Sequence, residues 1–200
     1  MEAVERGLRR SEPWIDPDPA HLSAAVALVL REGEGGLEML FIRRAEWDGD
    51  PWSGDLAFPG GRLDPEDRGD LRRAAERETL EELELDLSRS RRLGRLSDVL
   101  GRAESIRVSC FVYGIGGERP RLSPNHEIRE AFWTPLADLR DPSRQLHREF
   151  RYRERGVRMP ALRLLEDERA PVLWGITYKL LEDFMARMDQ PIPFMPWDEP

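Results

Sequence analysis

The chain has one cysteine and one lysine in its 200 residues, and no apolar run long enough to span a bilayer. The lone cysteine, Cys110, excludes an internal disulfide. Set in the apolar run VSCFVYGI, it reads as a small buried strand residue rather than a nucleophile. The opening decapeptide, MEAVERGLRR, lacks the apolar stretch of a signal peptide. These absences favour the cytoplasm and argue against a membrane partner. A basic excess is missing too: the formal net charge of −8 argues against a general nucleic-acid binder. The shortage of lysine has a counterpart. Every basic residue of the 31 except Lys179 is an arginine, and guanidinium forks grip phosphates bidentately. The overall acidity fits an anionic substrate that arrives with a metal ion.

What is present suits one domain with terminal extensions: 40% of the residues are hydrophobic, enough for a core. Residues 1–20 are charged and carry Pro13, Pro17 and Pro19, which predicts an extended or loosely docked arm. Residues 21–188 form the expected domain, and 189–200 a Pro-rich tail that cannot continue a helix. Within the domain, Leu22–Arg31 and Leu37–Arg44 read as a hairpin turning through a glycine-rich 32–36. A short strand follows at Leu56–Phe58, then a helix from an Asp70 N-cap to about Leu83. Further strands are expected at about 92–100, 106–115 and 127–134, a short helix over 135–139, and a basic hairpin over 146–165. A last helix should start at Pro171 and align Leu173, Ile176, Leu180, Phe184 and Met188 on one stripe. Strands interspersed with two long helices predict an α/β protein whose mixed β-sheet is covered on both sides.

The most informative stretch is FPGGRLDPEDRGDLRRAAERETLEELEL, from Phe58 to Leu85. On its helix, Glu78 and Glu82 lie one turn apart on one face, with Glu81 beside them. Like charges at that spacing repel, so the helix alone gains nothing from them. A solvated acidic face is the ordinary reading of such a pattern. A hard divalent cation, Mg²⁺ or Mn²⁺, reverses the sign of the interaction, because it prefers oxygen ligands. Gly60 and Gly61, just upstream, let the backbone come close to a ligand.

These residues, in this order, resemble the signature of the Nudix hydrolases: a glycine, an acidic loop, then Arg77-Glu78-Thr79-Leu80-Glu81-Glu82. The resemblance implies a Nudix-type α/β/α sandwich in which the signature forms a loop–helix–loop catalytic motif. It extends over residues 22–186. The combination of FPGG with Pro124-Asn125-His126-Glu127-Ile128, Phe132-Trp133-Thr134-Pro135-Leu136 and Trp174-Gly175-Ile176-Thr177 is similar to the coenzyme A pyrophosphatase branch. That branch cuts the diphosphate of coenzyme A or its thioesters to 3′,5′-ADP and a phosphopantetheine. Four departures stand out. Thr79 fills a hydrophobic slot, and Glu84 takes the place of a glycine, so the helix is expected to end differently. The loop from Gly61 to Arg77 carries inserted residues, leaving Glu66, Asp67 and Asp70 as alternatives for the first acidic position. Asp50 stands where an upstream arginine is expected, which weighs against the coenzyme A assignment.

The resemblance implies metal binding by Glu78 and Glu82 with help from Glu81, and a metal-facing backbone carbonyl at Gly61 or Gly60. Arg77 is expected to orient the glutamates through an ion pair. For the general base, Glu127, Glu130, His126 and Glu81 all remain open. Arg43 and Arg44 are candidate diphosphate contacts, though adjacent strand residues face opposite ways. Gly60 would let substrate approach the backbone. Trp47 and Trp52 either stack on a base or pack against their loop. The implied partner is a small-molecule nucleotide, bound by a monomer or a homodimer. ADP-ribose or a dinucleotide is the alternative substrate, and a non-catalytic nucleotide sensor the alternative class.

Overall fold

The computed structural model describes residues 1–18, 21–47, 53–101, 106–152 and 155–193. Asp50, Trp52 and the tail beyond residue 193 lie outside the described residues. A long hairpin organises the sheet. Strand β1 (Leu22–Gly33) turns into β2 (Gly36–Arg44) with Gly33 opposite Gly36, where a φ of +122° at Gly36 suits only a residue without Cβ. The outer edge of β1 runs parallel to β7 (Ile106–Ile115), from Leu22 beside Ile106 to Arg31 beside Ile115. The outer edge of β2 takes β8 (Ile128–Pro135), antiparallel. Two short strands fill the fork where β1 and β2 part: β3 (Leu56–Ala57) pairs with Ile42 and Arg43 of β2, and β4 (Gly60–Arg62) with Ala24–Val26 of β1. The glycine pair is thereby held inside the fork. Strands β5 (Arg91–Arg95) and β6 (Val99–Gly101) complete the sheet along β7.

Both faces of this mixed sheet are covered, so β1 is apolar on both. Ala25, Ala27 and Val29 point to one core with Ala74, Ala75 and Leu83 of helix α2 (Leu71–Leu83). Leu28 and Leu30 point to the other, with Tyr178, Leu181 and Phe184 of α3 (Gly175–Arg187). This is the α/β/α sandwich that the sequence implied. A three-stranded sheet of β9 (Gln145–Tyr152), β10 (Arg155–Leu162) and β11 (Leu173–Trp174) adds Leu162 and Leu173 to the second core.

The sequence reading needs correction at four places. The N-terminal segment is not extended throughout: Glu2–Leu8 form helix α1, which buries Val4 and Leu8 in the second core. The last helix starts at Gly175 rather than Pro171, because Leu173 and Trp174 pair with Leu162 and Ala161 of β10. Its buried stripe is accordingly Tyr178, Leu180, Leu181, Phe184 and Met185. The strand expected over 92–100 breaks into β5 and β6, since the Asp98 N–H bonds to Trp14 O rather than to a sheet neighbour. The 135–139 helix is a 3-10 turn over Asp138–Arg140.

Candidate functional site

The site is built on α2 and the loop before it. Asp70 caps the helix by accepting from the Arg72 N–H at 2.9 Å. Upstream, Pro65–Asp67 make a 3-10 turn closed by a reciprocal cap between Asp64 and Asp67. Arg68 and Gly69 then take φ of 54° and 79°, a double left-handed step that absorbs the extra loop length. Asp67 is buried, and Arg77 donates to it through Nε and Nη2 at 3.1 and 3.0 Å. Of the three candidates for the first acidic position, Asp67 is therefore the one gripped by Arg77; Glu66 lies 3.7 Å away and Asp70 serves as the cap. The guanidinium holds the Asp67 carboxyl below the usual carboxylate range. Through Nη1 it also reaches Glu78 at 3.0 Å and Glu81 at 3.1 Å, and Nη2 donates to the Arg62 carbonyl.

Thr79 fits the slot of a hydrophobic residue because its hydroxyl donates to the Ala75 carbonyl one turn back, at 2.7 Å. That leaves its methyl for the core. Glu84, in the expected glycine position, adopts φ 55°, and its N–H closes the helix onto Leu80 O. The helix thus keeps a left-handed exit despite carrying a side chain there.

Glu82 is 2% exposed. The Gly60 N–H donates to its carboxylate at 2.9 Å. Burial pushes its pKa up to about 8, with repulsion from Glu78 and Glu127 adding to the shift; the Gly60 N–H and Arg44 oppose it. Burial also raises Glu78, against the pull of Arg77. The two glycines make this crowding possible. A Cβ on Gly61 would sit 2.3–2.6 Å from the Glu78 carboxylate, and one on Gly60 would meet Ala25 O at 2.3 Å. Two carboxylates are thus wedged against bare backbone in the fork of the sheet.

Glu127 is brought alongside by the C-terminus of α2. The carbonyls of Glu82 and Leu83 accept from Asn125 N–H and Ser123 N–H, each at 2.9 Å. Asn125 Oδ1 then accepts from the Glu127 N–H at 2.8 Å. Glu127 is exposed, as is Glu81, whose carboxylate is turned to Arg77. Glu130 goes elsewhere. It lies opposite Arg43 on the neighbouring strand and approaches that guanidinium at 3.5 Å. Arg44 acts on Glu82, whereas Arg43 lines a separate pocket with Asp55 and Arg148. The structure therefore gathers Arg77, Glu78, Glu81, Glu82, Glu127, Arg44, Gly60 and Gly61, and sets Arg43 and Glu130 apart. The cause is strand alternation, which sends neighbouring side chains to opposite faces. Trp47 is 56% exposed and stands edge-on to His126. Sequence reasoning missed the pocket beside Arg43, because Asp55, Arg148 and Arg169 share no spacing pattern.

The donor set suits a hard divalent cation. It offers only oxygen ligands, and Glu78 and Glu82 crowd together at a cradle that a single Cβ would fill. Among the described residues no three acidic side chains converge on one point as they stand.

The NUDIX domain profile matches residues 21–153. The mitochondrial coenzyme A diphosphatase NUDT8 of Homo sapiens is 35% identical over 130 residues, covering 64% of this chain and 54% of that protein. Its Mus musculus counterpart is 31% identical over 144 residues, covering 72% and 67%. The chain thus spans about half the length of the human relative. Among solved structures, a MutT/nudix family protein from Enterococcus faecalis superposes with a TM-score of 0.57 at 15% identity, over 94% of this chain and 74% of that one, a likeness of fold. The profile match over most of the chain and the carboxylates wedged at the glycine fork lead to one conclusion: this chain belongs to the NUDIX domain family.

Proposed function

We propose that the chain is a Mg²⁺- or Mn²⁺-dependent diphosphatase that hydrolyses a nucleoside diphosphate linked to another moiety, with coenzyme A or its derivatives as the substrate class. The observation that carries this is the pairing of buried Glu82 with half-buried Glu78 against Gly60 and Gly61, where burial raises the pKa of both carboxyls despite Arg44 and Arg77. A fold gains nothing by burying repelling carboxylates, whereas a cation site needs them. Family members generally use divalent ions, and the relatives named coenzyme A diphosphatase favour the substrate class.

Glu78 and Glu82 would hold the ion, joined by Glu81 and by a carbonyl of the Gly60–Gly61 pair. When bound, the ion supplies charge neutralisation at the diphosphate, activation of water and stabilisation of the leaving phosphate. The remaining tasks fall to the protein. Arg77, anchored on Asp67, orients Glu78 and Glu81 as a positioning residue. Arg44 places a guanidinium on the carboxylate side of β2, within reach of phosphoryl oxygens. Glu127, exposed and within electrostatic reach of Glu82, would take a proton from the attacking water. Glu130, tied to Arg43, is not.

The test is a substrate panel with Mg²⁺ or Mn²⁺ and identification of both products. Coenzyme A should give 3′,5′-ADP and phosphopantetheine. Release of AMP from ADP-ribose with coenzyme A untouched would move the substrate class; ligand binding with no product from any panel member would make the protein a sensor.

A further inference from the structure

Beyond the carboxylates lies a pocket of about 390 Å³ that the proposed chemistry does not use. Its walls come from four places: Arg43 at the end of β2, Glu46 with residues 53–55 between β2 and β3, Arg148 of β9, and Arg169 with Ala170 and Pro171 in the segment before β11. The charges there are unevenly balanced. Arg148 is satisfied: it donates to Asp55 at 3.1 Å and stacks 4.3 Å from the centroid of Trp174, whose Nε1–H donates to the same Asp55 oxygen. This arrangement consumes Asp55. Arg43 is held more loosely. Its side chain is 17% exposed, it forms ion pairs with Glu130 and Glu46 only at 3.5 and 3.6 Å, and its buried Nε has no hydrogen-bond partner among the described residues. A buried guanidinium with an unmet donor is costly unless an anion completes it. The exposed Arg169 guanidinium forms no ion pair among the described residues. Three guanidiniums thus line the cavity against two carboxylates, Asp55 and Glu46, and Asp55 is taken by Arg148.

Resting on the diphosphatase reading, we propose that this pocket binds a phosphate monoester carried by the substrate outside its scissile diphosphate. A dianionic tetrahedral group offers oxygens in several directions, which suits guanidiniums arriving from separate elements; a planar carboxylate does not. The placement fits. Arg43 and Arg44 are consecutive on β2, so the pocket and the carboxylate cluster lie on opposite sides of the same strand end. A substrate crossing that end can present its diphosphate to Arg44 and a second phosphate to Arg43. Coenzyme A compounds carry such a group on the 3′ position of their adenosine; ADP-ribose and unmodified dinucleotides do not.

Calorimetric titration with adenosine 3′,5′-bisphosphate and with adenosine 5′-monophosphate reads the subsite without turnover. The bisphosphate should bind about tenfold more tightly, and Arg169→Ala should bring the ratio towards one. Arg169 is exposed, so the variant should fold, which its melting curve verifies. The ratio of kcat/KM for coenzyme A over 3′-dephospho-coenzyme A should shrink in parallel. Equal affinity of the unsubstituted protein for both nucleotides, or no binding of either at millimolar concentration, overturns the subsite. Discrimination in binding without hydrolysis of any substrate would overturn the diphosphatase reading and leave the subsite standing.

Discussion

Two buried carboxylates in this molecule are treated in opposite ways. Asp98, between β5 and β6, accepts from the Arg95 guanidinium at 2.6 Å, the Ser109 hydroxyl at 2.8 Å and the Asp16 N–H at 3.0 Å. Asp16 in turn meets His21 at 2.6 Å, which holds its carboxyl below the usual range. That network pins the N-terminal segment to the sheet, and its acids are satisfied where they stand. Glu82 is equally buried, but against one backbone N–H and the charge of Arg44 it faces two acidic neighbours, and burial pushes its pKa up to about 8. A carboxylate whose partners come from within the fold stabilises the fold. One left short of partners costs the fold stability, which is the cost that the proposed cation would offset.

The contrast can be broken most sharply at Glu82. In Glu82→Gln, metal-dependent turnover should fall about a hundredfold or more, read by product release. Without metal the same variant should be more stable at pH 8. The folded pKa of about 8 lies above the ordinary 4.5, so the folded state holds more protons between these values. Stability of the metal-free protein should therefore fall as pH rises from about 4.5 to about 8, by roughly 4 kcal/mol, and Glu82→Gln should flatten that slope in thermal melts. A melt that is flat in the unsubstituted protein would refute the strain. Asp98→Asn should do the reverse, costing about 3 kcal/mol in urea unfolding with turnover per folded molecule unchanged. Between these lies Asp67→Asn, which loosens Arg77: turnover should drop about tenfold, and the metal concentration for half-saturation should rise. The smallest effect is expected at Glu84→Gly, which relieves the left-handed conformation at the end of α2 and should stabilise by about 0.5 kcal/mol without altering activity.

Much of this was legible in the sequence wherever a local pattern carried it. Apolar runs on either side of a glycine-rich turn gave β1 and β2, and the Asp70 cap placed the start of α2 within a residue. Glu78, Glu81 and Glu82 could be grouped because a helix sets their spacing regardless of its surroundings. What remained hidden depends on partners distant in the chain. Helix α1 has few apolar residues and its neighbourhood is rich in proline; only docking of Val4 and Leu8 on the second core makes it a helix worth keeping. Gly175 opens α3 because β10 claims the two residues before it. The separation of Arg43 and Glu130 from Arg44 and Glu127 follows from strand alternation plus an irregular register between Arg43 and Arg44, which no motif announces. Asp67 could be singled out from its acidic neighbours only once Arg77 was seen to grip it.

The start of the chain and the end of α3 are clasped together. Gly7 lies so close to Met188 and the Arg187 carbonyl that a single methyl would not fit between them. Arg10 pairs with Asp189, and Arg187 donates to the carbonyl and hydroxyl of Ser11. Peeling one end away strips the other of its contacts, so these two segments should loosen as a single event. Limited proteolysis that trims the first ten residues should at once make the last turn of α3 cleavable.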